Sequence, residues 1–178
     1  MGEAARCEEQ DSEEQHPQGE AVRDPMTDQD DVDRAWMRYA IELSRRCPPV
    51  DDAYSVGAVI VDAQGREIAA GHSRETDPRA HAEEVALAKL PPDDPRLPGA
   101  TLYSTLEPCS RRASRPRSCA RLILDAGIPR VVIAWREPDL FVADARGRDV
   151  LADGGVDVVE LADLAEEARR VNAHLGLA

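Results

Sequence analysis

The chain has 178 residues, 42% hydrophobic, 32% charged and only 3% aromatic, which suits one globular domain plus a tail, with a core of Ala, Val, Leu and Ile. The net charge is −13, but eleven acids against Arg6 and Arg23 place −9 on residues 1–31 and leave −4 on the rest, so there is no broad basic face for duplex nucleic acid. No apolar run approaches the ~20 residues of a membrane span, the acidic start is not a signal peptide, and four cysteines do not form a disulfide scaffold, so a reducing cytoplasm is expected.

Residues 1–25 are acidic, lack apolar periodicity and read as a disordered tail, with the domain spanning 26–178. Residues 28–46 form the first predicted helix. Acids favour its start, Trp36, Ala40, Leu43 and Cys47 make its apolar stripe, and Pro48 and Pro49 stop it. Two apolar runs, 56–61 and 68–71, flank the turn chemistry of 62–65 and predict a hairpin. A loop over 74–80 precedes a helix at 81–90, broken by Pro91 and Pro92. A strand follows at 101–105. The next helix covers 118–126, with Gly127 as its stop. A buried strand at 131–135, a helix at 144–152, a strand at 156–161 and a terminal helix at 161–175 complete the chain. The order predicts an α/β fold with one central mixed five-stranded sheet and helices on both faces, in three α/β/α layers.

Two fragments carry chemistry. One is His81-Ala82-Glu83; the other is Glu107-Pro108-Cys109, with Cys119 ten positions later. An imidazole and two thiolates make a three-ligand zinc set with a fourth position left for water. Zinc lowers the pKa of a bound water from 15.7 to ~7, and a nearby carboxylate can pass its proton to a leaving amine. Glu83 is the candidate. His81 and Cys119 both open predicted helices, where free backbone N–H groups favour thiolate. His81 and Glu83, two positions apart, share no helix face, so they converge only if the metal sits at the helix end. Each fragment alone is a weak signal; their conjunction is specific. Cys7 and Cys47 lie outside the pattern, as do His16 and His174.

These residues resemble the zinc deaminase superfamily, whose His-x-Glu and Pro-Cys signature they share. The resemblance would cover 28–161 and implies the cytidine deaminase-like fold. Within that superfamily the chain is most similar to the pyrimidine deaminase domain of riboflavin biosynthesis, through Val56-Gly57-Ala58-Val59-Ile60-Val61, His81-Ala82-Glu83, Thr105-Leu106-Glu107-Pro108-Cys109-Ser110, the long gap between cysteines, and Ala126-Gly127-Ile128 leading into Arg130-Val131-Val132. It implies Zn2+ as cofactor, a phosphorylated heterocyclic amine as substrate and a homodimer. The departures are a Cys–Cys spacing one residue longer than expected, Arg111-Arg112 where the family pairs His with His or an aromatic, and Asp52-Ala53-Tyr54-Ser55 where it has Pro-Asn-Pro. No reductase domain follows residue 161, which leaves a stand-alone deaminase as the expectation.

Arg111, Arg112, Arg115, Arg117 and Arg121 crowd a stretch with no acid between Pro108 and Leu124. Arg111 and Arg115 are expected to meet a substrate phosphate through the planar guanidinium fork, and His72 to face the substrate. Three readings stand. They are hydrolytic deamination of a phosphorylated pyrimidine, deamination of another base, nucleoside, deoxycytidylate or specialised heterocycle, and a zinc-stabilised binding module without turnover. The spare carboxylate of Glu83 separates the first two from the third. Editing of single-stranded nucleic acid is a minor option, because the basic patch lacks aromatics for base stacking.

Overall fold

The computed structural model describes residues 25–136 and 146–176. Residues 1–24 of the acidic tail, with Cys7 and His16, lie outside the described residues, as do positions 144 and 145 at the start of the predicted fourth helix. Helix α1 covers Pro25–Ser44. Among the described residues it already runs at position 25, three residues before the expected start. It closes on tightened bonds from Arg46 to Leu43 and from Cys47 to Ser44. Strands β1 (Gly57–Val61) and β2 (Glu67–His72) form the hairpin. Its turn is pinned by Asp62, whose Oδ1 accepts from the amides of Gln64 and Arg66.

Helix α2 (Ala82–Ala88), strand β3 (Thr101–Leu106), helix α3 (Cys119–Asp125), strand β4 (Arg130–Trp135), helix α4 (Gly147–Asp153), strand β5 (Asp157–Glu160) and helix α5 (Ala165–Val171) follow. The predicted terminal helix is shorter than expected and is flanked by 3-10 turns at Ala162–Leu164 and Ala173–Leu175. One tertiary bond set explains its end. The Asn172 side chain accepts from the Ser55 amide at 2.7 Å and donates to the Ser55 carbonyl at 3.1 Å, and its backbone leaves helical geometry.

The five strands form one sheet in the order β2-β1-β3-β4-β5. β1 pairs antiparallel with β2 and β3, while β3, β4 and β5 run parallel. Helices α1 and α5 pack on one face; α2, α3 and α4 lie on the other. Strand alternation splits the core accordingly. Val59, Tyr103, Val132 and Ala134 belong to the α1 side. Ile60, Leu102, Val131 and Ile133 belong to the side that carries α2 and α3. Helix α1 approaches β1 so closely that a Cβ at Gly57 would fall on the carbonyl oxygen of Ala40. Among the described residues no helix is long and apolar enough to cross a membrane.

Candidate metal centre

His81 is the N-cap of α2, with φ −89° and ψ 154°. It therefore stands off the helix face, and the two-residue spacing to Glu83 no longer separates them. Glu83, in the first turn, is 3% exposed, and Ser104 Oγ on β3 donates to its Oε1 at 3.1 Å. Burial pushes the Glu83 carboxyl above its ordinary range. The His81 ring pulls it down and the Cys109 sulfur pushes it up.

Cys109 leaves the C-terminal end of β3 through Glu107 and Pro108. It meets the start of α3, where the Cys119 amide donates to Cys109 Sγ at 3.4 Å and the Ala120 amide to the Cys109 carbonyl at 3.1 Å. Helix α4 supports this corner from behind. The Arg148 amide donates to Glu107 Oε1 at 2.7 Å, the Arg146 amide to Ser110 Oγ at 3.4 Å, and a Cβ at Gly147 would fall on the Pro108 carbonyl oxygen.

The His81 Nδ1, Cys109 Sγ and Cys119 Sγ atoms lie within 4.8 Å of one another, the one such group of His, Cys, Asp or Glu ligand atoms among the described residues. Nδ1 is 3.7 Å from Cys109 Sγ and 3.4 Å from Cys119 Sγ. Tetrahedral zinc with Zn–S of about 2.3 Å and Zn–N of about 2.0 Å sets N and S about 3.5 Å apart, so the donor set fits that ion. The electrostatics agree. Donation from Cys119 holds the Cys109 thiol far below its ordinary value against the opposing effect of burial, with the His81 ring assisting. The same partnership, together with burial, pushes the Cys119 thiol up. Burial would lower the His81 imidazole, but Cys109 and Glu83 outweigh it and raise the ring. With one thiol held down and its partner pushed up, a divalent cation held by both sulfurs would displace the proton they retain to solvent.

The predicted substrate residues lie in different surroundings. Arg111 is exposed and makes no hydrogen bond or ion pair among the described residues. Arg115 is occupied by two carboxylates, Glu84 at 3.0 Å and Asp77 at 2.6 Å. Arg112 also binds Glu84, at 3.0 Å, while Arg117 and Arg121 share Asp125. The stretch that lacks acids in sequence thus receives them in space. The His72 ring touches the Ser73 carbonyl at 3.1 Å, Cys47 Sγ at 3.8 Å and Glu75 at 3.8 Å. Its neighbour Gly71 packs under α2, so strand alternation turns His72 to the opposite face.

Sequence reasoning passed over Ser104, Glu84 and Gly147. Ser104 has no local signature. Glu84 stands three residues after the N-cap, in the capping-box position, but the box is normally opened by Ser or Thr and here is opened by His81.

Residues 30–135 match the cytidine and deoxycytidylate deaminase zinc-binding region. The diaminohydroxyphosphoribosylamino-pyrimidine deaminase of Schizosaccharomyces pombe is 42% identical over 127 residues, 70% of this chain and 31% of that protein. RibD of Acinetobacter baumannii superposes with a TM-score of 0.71 at 31% identity, over 82% of this chain and 40% of that one. The diaminohydroxyphosphoribosylaminopyrimidine deaminase/5-amino-6-(5-phosphoribosylamino)uracil reductase of Thermotoga maritima gives 0.69 at 33% identity, over 79% and 39%. The chain thus spans about a third of the length of the curated relatives it matches.

Proposed function

The chain belongs to the cytidine and deoxycytidylate deaminase family, and from that premise we propose that it is a zinc-dependent hydrolytic deaminase of a phosphorylated, amine-bearing pyrimidine, as in riboflavin biosynthesis. The observation that carries the reading is the gathering of His81, Cys109 and Cys119 beside the buried carboxyl of Glu83. A zinc ion held there supplies Lewis acidity that brings the pKa of water toward neutrality. The protein supplies the rest. His81 and the two sulfurs would hold the ion. Ser104 fixes one oxygen of Glu83, and burial raises its affinity for a proton. In the overall reaction a carbon–oxygen bond forms at the amine-bearing ring carbon and the carbon–nitrogen bond breaks. Glu83 carries the proton from water to the departing nitrogen, because free amide ion is no leaving group in water.

The substrate class follows from the names of the relatives and from Arg111, an exposed guanidinium two residues beyond Cys109. A second reading, an unphosphorylated base or nucleoside, is favoured by the ion pairs of Arg112 and Arg115, which leave little free positive charge for phosphate. Ammonia release by zinc-loaded protein across aminated pyrimidines, purines and their phosphates separates the two. Turnover confined to a phosphorylated pyrimidine supports the first reading. Turnover that survives dephosphorylation supports the second, and no turnover on any member overturns both. Light scattering on the same sample tests the dimer expected from the family.

A further inference from the structure

The two cysteine ligands are separated by residues 110–118, a crossover without regular secondary structure. It contains no acid, so any carboxylate that anchors its cations comes from elsewhere in the fold. Glu84 is such an anchor. Its Oε2 accepts from Arg112 Nη1 at 3.0 Å and from the His81 amide at 3.3 Å, and its Oε1 accepts from Arg115 Nε at 3.0 Å. The Arg112 side chain is only 4% exposed and also donates to the Arg79 carbonyl at 2.7 Å. Arg115 reaches on to Asp77 at 2.6 Å. One carboxylate therefore ties together the loop that ends at Ala80, the N-cap that carries the imidazole, and the crossover that joins the two sulfurs.

Ordering a slack crossover between the two cysteines, against the imidazole, would cost conformational entropy each time the ion binds. An anchor that is already in place removes that cost, as preorganisation does in any binding site. We propose that Glu84 is a positioning residue: through Arg112 and Arg115 it fixes the separation of His81 from Cys109 and Cys119 and thereby sets metal affinity. This rests on the metal-centre reading above, and the sequence neighbour of Glu83 acquires a role distinct from proton transfer.

The test is zinc affinity measured by chelator competition on the full chain, with the melting temperature of the metal-free protein recorded in parallel. Loss of a group that orients metal ligands typically weakens affinity by about 10–100-fold. Glu84→Gln, which keeps the shape and removes the charge, is expected to fall in that range with little change in apoprotein melting. Arg112→Met is expected to move the same way, and the double variant to be no weaker than the weaker single, because both act through one contact. A lower melting temperature with unchanged zinc affinity marks an ordinary structural ion pair and overturns the proposal, as do fully additive losses. Should Glu84→Gln fail to fold, Arg115→Gln carries the same comparison. If the unmodified chain binds no zinc, the metal-centre reading itself falls and takes the inference with it.

Discussion

His81, Glu83, Cys109 and Cys119 are placed by backbone: an N-cap, a first helical turn, the end of a central strand and the start of the next helix. Arg111 to Arg121, only a few residues away, are placed by long side chains that reach carboxylates on other elements or, for Arg111, by nothing among the described residues. The first group is fixed by the main chain because each residue sits where a strand ends or a helix starts, and the Cys119 amide donates to Cys109 Sγ. The second depends on partners such as Glu84, Asp77 and Asp125 that any related sequence could exchange. The ligand group and the exposed arginines are thus placed by different parts of the fold, with Glu84, through Arg112 and Arg115, as the link between them, and the two should respond differently to substitution.

The largest expected effect breaks the first group without touching the fold. Glu83→Gln is predicted to lower kcat by roughly 10²–10⁴-fold, the range for losing a general acid–base group, while zinc content by elemental analysis stays at the unmodified level. Loss of zinc in this variant would assign Glu83 to the ligand set instead. The next effect lies away from the site and provides a control. Asp33, fully buried, binds Arg130 at 2.6 Å and accepts from Tyr103 at 2.8 Å. Asp33→Asn is predicted to cost about 3 kcal/mol in urea unfolding, since it leaves a largely buried cation short of its partner, with zinc affinity unchanged. Burial would raise the Asp33 carboxyl, but Arg130, Gln29 and Tyr103 outweigh it and hold it below its ordinary 3.8. A depressed carboxyl contributes stability that is fully present above 3.8 and is lost as pH falls through the folded value. The unmodified chain should therefore lose stability over that acidic window, and Asp33→Asn should lose less.

Gly147→Ala is predicted to cost about 1–3 kcal/mol through overpacking against Pro108 and, unlike Asp33→Asn, to weaken zinc binding, because the displaced residue precedes Cys109. The smallest effects belong to Arg111 and Arg121, neither of which meets Glu84 as Arg112 and Arg115 do. Arg111→Ala should raise KM for a phosphorylated substrate about tenfold, the order of one lost charged hydrogen bond, and leave KM for the dephosphorylated compound unchanged. Equal changes on both substrates would remove Arg111 from phosphate recognition. Arg121→Ala, whose exposed pair with Asp125 is worth under about 1 kcal/mol, should change neither KM nor zinc affinity.

The same contrast explains what could be read from the sequence. The element order and mixed sheet were legible because each strand and helix carries its own period and its own stops, such as Pro48-Pro49 and Gly127. The gathering of His81, Cys109 and Cys119 was legible because a His and a Cys open two successive helices, a second Cys follows the strand between them, and Glu83 stands two residues after the His. The state of the arginines was not, since Arg115 is thirty-one and thirty-eight positions away from Glu84 and Asp77 and no local rule pairs them. His72 shows the limit in another way. The predicted strand stops at Gly71, whereas β2 runs through His72, and the side that residue faces depends on register, which one residue of slip reverses. The break before Asn172 was hidden for the same reason, because its cause is the distant Ser55.

The central claim is that three side chains hold one ion and leave room for solvent. X-ray absorption at the zinc edge of the loaded chain tests it directly. Two sulfur scatterers at about 2.3 Å and two nitrogen or oxygen scatterers at about 2.0–2.1 Å are expected, one of the latter displaced by an added anionic ligand and neither lost in Glu83→Gln. A shell that resists exogenous ligand, or one with fewer than two sulfurs, would contradict it.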